Sequence, residues 1–195
     1  GVQTCALPIS SLYRVATSVR RSLYASGTLR TIKMGRPVVV VGNLTVGGTG
    51  KTPLVAWLAE SLAARGVRVG ILSRGYGGSS REPRFVEPTA SWREVGDEPL
   101  LLRNRTGRPT VVAPDRVAGA KLLLEEGVDV ILADDGLQHL RLARDCEIVV
   151  IDGARGFGNG RLLPAGPLRE SAASLSRVDL IVVNGAPSHP SLQQV

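Results

Sequence analysis

Three groups of residues in this sequence have the types and spacing to act on a phosphate. In the first, four valines (Val38–Val41) run into a glycine-rich stretch in which Gly47, Gly48, Thr49 and Gly50 precede Lys51 and Thr52. Glycines there let backbone N–H groups turn around an anion at a helix N-terminus; Lys51 would meet the β- and γ-phosphates, and the Thr52 hydroxyl would ligate Mg²⁺. The strict phosphate-loop pattern has glycine at the first loop position, where this chain has Thr45. The second group is Asp134-Asp135, closing the apolar run Val128–Ala133. Adjacent carboxylates at a strand end are expensive to ionise together without a cation, and downstream of a phosphate loop they suit Mg²⁺. The third is Asp97-Glu98, in the first turn of a predicted helix, where acids also serve simply as partners of the helix dipole. A glycine turn with an incidental lysine and an Asp-Asp-Gly turn are the plainer alternatives for the first two.

Positioning these groups needs a particular set of elements. Val38–Val41 suits a strand buried on both faces, and Leu54, Leu58 and Leu62 mark one face of the following helix, with Pro53 tolerated in its first turn and Gly66 as its stop. Val67–Leu72 reads as a second strand ending in the turn Ser73–Gly78. Residues 79–95 read as a polar excursion outside the core. A helix opens at Gly96–Pro99, Thr110–Ala113 is a short strand, and Pro114-Asp115-Arg116 starts a helix that Gly127 ends. Cys146–Ile151 and Leu180–Val183 are the last two strands, with a mobile glycine-rich stretch, 153–160, between them. Alternating strands and helices predict an α/β fold: P-loop NTPase-like, a mostly parallel sheet with helices on both faces.

An N-terminal amphipathic helix should precede it. Leu12, Val15, Ala16, Val19 and Leu23 recur at helical spacing, interleaved with Arg14, Arg20 and Arg21, and flanked by Tyr13 and Tyr24. Of the net charge of +7, residues 1–36 carry +6 with no acid, and the remaining 18 basic and 17 acidic residues nearly cancel. We therefore divide the chain into a basic arm (1–36), expected on an anionic membrane surface, with a surface helix packed on the domain and its arginines in water as the plainer alternative, and a phosphate-loop core (37–195). Two cysteines exclude a disulfide framework, no apolar run reaches the eighteen residues of a membrane span, and few aromatics with no recognition motif argue against nucleic acid.

The chain resembles the tetraacyldisaccharide 4′-kinases, the lipid A 4′-kinases of Gram-negative bacteria. The resemblance is carried in order by Val41–Pro53, Ser73–Gly78, Gly96–Pro99, Asp134–His139 and Arg161–Glu170. It implies transfer of the ATP γ-phosphoryl group to the 4′-hydroxyl of an acylated glucosamine disaccharide 1-phosphate at the cytoplasmic face of the inner membrane, with Mg²⁺. Asp97 would be the base, and Lys51, Arg116 and Arg169 would act on the reacting phosphate. Thr52, Asp134, Asp135 and Glu170 would hold the metal, and Tyr76, Glu98, Gln138 and His139 would face the acceptor.

Residues 1–9 do not look like the family's N-terminus. The family also continues past this point into a smaller domain that closes over the site, so the resemblance implies weak nucleotide binding and poor kinase activity for residues 1–195. It leaves oligomeric state open. Two other functions share the motifs: a P-loop ATPase regulating a membrane partner, and a non-catalytic membrane-binding module. No Asn-Lys-x-Asp motif for guanine is present.

Overall fold

A computed structural model of the protein describes residues 2–192, with side chains from Leu7 onward. They form two compact units, one of residues 31–41 and 51–147, the other of 2–30, 42–50 and 148–192.

The first unit is built on β1 (Val38–Gly42), β2 (Val69–Ser73), β3 (Arg84–Phe85), β4 (Thr110–Val112) and β5 (Val130–Asp134), in the order β3-β4-β2-β5-β1. All neighbours are parallel except β3 against β4. Every residue of β2 and β5 is buried, as expected of strands covered on both faces. Helix α2 (Lys51–Ala63) packs on β2 and β5, and α5 (Arg116–Glu125) on β2 and β4. The stripe that α2 buries is Val55, Ala56 and Ala59, with Leu54, Leu58 and Leu62 only half-buried at its margins, so small residues and not the leucines make the contact. Gly66 (φ 81°) ends α2's run, and Asp115 caps α5 through Oδ1, which accepts from Val117 N at 2.9 Å.

Residues 79–95, expected outside the core, are mostly exposed but send two side chains into it. They contain β3 and a one-turn helix, α3 (Trp92–Val95), and bury Val86 and Val95 against Val112. Helix α4 (Asp97–Thr106) follows and ends at Gly107 in the left-handed region.

The second unit contains α1 (Val2–Ala25) and the parallel pair β6 (Cys146–Asp152) and β7 (Leu180–Asn184), with Asp152 in register with Asn184. The helix begins well before Ser11, spanning residues that show no sequence pattern, and carries Pro8 inside it. Its apolar face points outward: Leu12, Val15, Val19 and Leu23 are exposed. Ser10, Tyr13, Thr17, Arg21 and Tyr24, spaced three or four apart, face inward. Ser10 Oγ donates to Leu162 O, and Tyr13 OH to Arg169 O. The glycine-rich stretch 153–160, expected to be mobile, is a series of hydrogen-bonded turns around buried Phe157.

Close helix–sheet contact makes one glycine decisive. A Cβ on Gly119 of α5 would lie 2.6 Å from Ala113 Cβ and 2.7 Å from Leu72 Cδ1. Gly119→Ala should therefore destabilise the chain by about 1–3 kcal/mol through overpacking in urea unfolding, whereas an unchanged midpoint would contradict this packing.

Candidate active site

The glycine loop after β1 is held in part by its own Asn43, which is fully buried. Its Nδ2 donates to Thr45 O at 2.7 Å and Gly47 O at 3.2 Å. Gly47 and Gly50 have φ of 98° and 90°, which only glycine adopts without strain. Thr45 is tolerated at the first loop position because it pairs as an antiparallel bridge with Leu168, while Val46 N donates to Pro167 O and Arg169 N to Leu44 O. The N–H groups of Gly48, Thr49 and Gly50 make no hydrogen bond among the described residues, and Thr49 Oγ1 is buried without a partner. Such a row of donors can receive an anion.

The loop runs directly into α2, whose first residue is Lys51. Its buried side chain reaches Asp135 Oδ1 at 3.7 Å. The neighbouring Asp134 is 1% exposed, and both of its carboxylate oxygens lack a hydrogen-bond donor. Burial pushes this carboxyl up to about 7, reinforced by the charges of Glu98 and Asp135 and opposed by those of Lys51 and Arg116. Asp135 is the one described non-glycine residue with positive φ, 51°, and Gly136 beyond it fits closely against Val40 and Ala133.

Arg116, at the start of α5, is equally buried. Nη2 donates to Asp134 O at 2.9 Å and reaches Asp135 O at 3.5 Å, so it grips the backbone of the acid pair and not its carboxylates. Burial lowers its pKa to about 10, opposed by Asp134 and Asp135, and it remains a cation at neutral pH. Its Nε and Nη1 have no partner. The two Asp134 oxygens without donors, next to Asp135, offer hard oxygen ligands to a divalent cation, although no group of three or more acid, histidine or cysteine side chains among the described residues is spaced to hold one.

Asp97 and Glu98 open α4 and are exposed; Asp97 Oδ1 accepts from Glu98 N at 2.9 Å. Their position is fixed by contact between two glycine-rich backbones. A Cβ on Gly78 would sit 2.5 Å from Glu94 O and 2.8 Å from Gly96 N, while Ser79 N and Ser80 N bond to Arg93 O and Glu94 O. Tyr76, on the same turn, is 83% exposed. Gln138 and His139 lie half-buried on the turn after the acid pair. The residue that shapes this turn is Arg144, which donates to the carbonyls of Leu137, His139 and Leu142 and pairs with Glu147 at 2.8 Å.

In the second unit, Arg169 follows Leu168, the bridge partner of Thr45, and Glu170 is ion-paired with Arg21 of α1 at 2.6 Å. Two further side chains there reach the glycine loop. Arg155 Nη2 donates to Gly48 O, and Asn184 Nδ2 donates to Thr49 O at 3.2 Å. Sequence reasoning missed both, because a single donor more than a hundred residues away leaves no spacing signal, and it missed Arg144, whose acceptors are backbone carbonyls two to seven residues away that no residue type marks.

Comparison with known proteins bears on this arrangement. The family model for tetraacyldisaccharide-1-P 4′-kinase matches residues 2–194, including most of the N-terminal residues that looked foreign to such a family. The tetraacyldisaccharide 4′-kinase of Alkalilimnicola ehrlichii is 59% identical over 179 residues, covering 91% of this chain and 54% of that protein. Among solved structures, LpxK from Aquifex aeolicus in complex with ATP aligns with a TM-score of 0.87 and 38% identity, over 97% of this chain and 61% of that one. The chain thus spans roughly half to three-fifths of the length of these relatives.

The buried carboxyl has a consequence for stability. Unfolded, Asp134 ionises near pH 4; folded, near 7, so folding takes up a proton in between. The cost of ionising it is absent below about pH 4, grows up to pH 7 and is constant above. Asp134→Asn should raise the melting temperature of the metal-free chain several degrees more at pH 8 than at pH 5, and equal gains at both would contradict the burial assigned to this carboxyl.

Proposed function

Because the chain belongs to the tetraacyldisaccharide-1-P 4′-kinase family, we propose that it binds ATP with Mg²⁺ and supports transfer of the γ-phosphoryl group to the 4′-hydroxyl of an acylated glucosamine disaccharide 1-phosphate. The observation that carries this reading is Asp134: a buried carboxylate with no donor on either oxygen, at the end of the strand beside the one that leads into a loop of unpaired N–H groups and Lys51.

The reaction then divides among the chain's own residues. The N–H groups of Gly48, Thr49 and Gly50 and the Lys51 ammonium bind and orient the triphosphate. Asp134, Asp135 and Thr52 hold Mg²⁺, which when bound neutralises charge on the β- and γ-phosphate oxygens. Asp97 takes the proton of the 4′-hydroxyl on Oδ2, which accepts no hydrogen bond among the described residues. The hydroxyl oxygen forms its bond to the γ-phosphorus as the bond to the β–γ bridging oxygen breaks, and ADP leaves with that electron pair. Arg116 positions the acid pair through its carbonyls. By the family resemblance Arg169 is assigned to the reacting phosphate, and Glu98, Tyr76, Gln138 and His139 to the acceptor side. Glu170 is assigned to α1 through Arg21 as well as to the metal.

We also assign α1 to a membrane surface, as a helix lying on it: no helix of the described residues is long and apolar enough to cross a membrane. An exposed row of Leu12, Val15, Val19 and Leu23 with Arg14 and Arg20 beside it is what an interfacial helix presents to anionic lipid. Each apolar side chain contributes about 1.5–3 kcal/mol if fully buried, against about 1 kcal/mol for each cation near the surface, so the apolar row should dominate.

Two measurements check these assignments. With labelled ATP, Mg²⁺ and the disaccharide 1-phosphate lipid, a form of the relatives' full length should give a doubly phosphorylated product. Lys51→Ala and Asp97→Ala should each lower kcat at least a hundredfold, with ATP affinity kept in the latter; full activity of Asp97→Ala would overturn the base assignment. In co-sedimentation with phosphatidylglycerol vesicles, Leu12→Ser/Val15→Ser/Val19→Ser should lose binding while Arg14→Gln/Arg20→Gln only weakens it. The reverse ranking would contradict the apolar docking of α1.

A further inference from the structure

Five of the six carbonyls from Leu44 to Thr49 are tied by donors from outside the loop or from Asn43 beneath it. Leu44 O accepts from Arg169 N, Thr45 O and Gly47 O from Asn43 Nδ2, Gly48 O from Arg155 Nη2, and Thr49 O from Asn184 Nδ2. In a trans peptide the C=O of one residue and the N–H of the next point in opposite directions. Tying the carbonyls of Gly47, Gly48 and Thr49 therefore turns the N–H groups of Gly48, Thr49 and Gly50 to the other side of the loop, and these are the three without partners.

Without those ties, glycines at 47, 48 and 50 would let each peptide plane rotate, and an inward carbonyl would repel a phosphate that an inward N–H attracts. Asn43 controls only the first of the three planes. The other two depend on Arg155 and Asn184.

Both side chains are themselves anchored. Arg155 is held by Asp152, whose Oδ2 accepts from Arg155 Nε at 3.0 Å and pairs with Nη2 at 2.9 Å. Asp152 Oδ1 caps the turn by accepting from Ala154 N and Arg155 N. Parallel pairing of β6 with β7 puts Asp152 opposite Asn184, so the two donors issue from adjacent strand ends. Gly50 is matched to this arrangement, since a Cβ there would lie 2.5 Å from Asn184 Nδ2.

We propose that Arg155 and Asn184 are positioning residues for nucleotide phosphate, which act by fixing the Gly48–Thr49 and Thr49–Gly50 peptide planes so that their N–H groups face the anion. This rests on the nucleotide-binding reading above. Arg155 acts as a hydrogen-bond donor to a carbonyl, and its charge is directed to Asp152. Asn184 acts solely as an amide donor.

The test is calorimetric titration of the chain with inorganic tripolyphosphate and with Mg·ATP, alongside melting temperatures of the free variants. Arg155→Met and Asn184→Ala should each weaken tripolyphosphate about tenfold while the melting temperature moves by no more than about 2 °C, since both side chains are substantially exposed. Arg155→Gln, which keeps a donor and drops the charge, should recover most of the affinity. Asp152→Asn keeps the Oδ1 cap and loosens only the hold on Arg155, so it should fall between wild type and Arg155→Met. Affinities of Arg155→Met and Asn184→Ala within twofold of wild type would overturn the proposal, and Arg155→Gln no better than Arg155→Met would overturn it for Arg155. Lys51→Ala separates the two claims: if wild type binds neither ligand, or binds both as Lys51→Ala does, the nucleotide reading itself fails and this inference falls with it.

Discussion

The candidate site depends on one strand register. Parallel pairing of β1 with β5 sets Val41 opposite Asp134, so the strand that leads into the glycine loop and the strand that ends in two acids finish at the same edge of the sheet. Ligands of open α/β sheets collect at the carboxyl ends of the strands because loops and helix N-termini meet there. A slip of one residue would turn Asp134 to the other face and remove it from Lys51 and Arg116. The run of buried β-branched and aliphatic residues in β1 and β5 holds that register, at the expense of leaving a carboxylate in a place where it cannot reach water.

Two different solutions to charge follow from that placement. Around Asp134 the protein supplies cations that act at a distance or through backbone: Lys51 from α2 and Arg116 on the carbonyls of the pair. Neither satisfies the carboxylate oxygens, which keeps them available to a ligand. Around the glycine loop the protein instead withdraws negative dipole, tying five of the six carbonyls from Leu44 to Thr49 to Arg169, Asn43, Arg155 and Asn184. A loop rich in glycine gains by this restraint, because the freedom that lets it adopt φ of 98° and 90° would otherwise let it relax away from them.

What the sequence made legible was local. Gly47, Gly50 and Lys51, the strand that ends in Asp134, and the helix boundaries at Gly66, Asp115 and Gly127 follow from period, glycine and capping chemistry over a few residues. Other features are set by contacts that spacing cannot encode. The periodicity of α1 identifies an apolar stripe but not which way it points, and only the inward bonds of Ser10, Tyr13 and Arg21 show that the polar side is the buried one. Val86 and Val95 join the core although β3 has two residues and α3 four, too short for any period to register. Glu170 fits the acidic set by type, yet its ion pair lies with Arg21, 149 residues earlier.

The account stands or falls on whether the loop and the acid pair serve one ligand, a triphosphate carrying a divalent cation. Titration of the wild-type chain with adenosine, AMP, ADP and ATP, each with and without Mg²⁺, measures this directly. Affinity should rise along the series and Mg²⁺ should strengthen ATP most, with adenosine and AMP indifferent to it. Equal affinity for AMP and ATP, or ATP binding untouched by Mg²⁺, would contradict it.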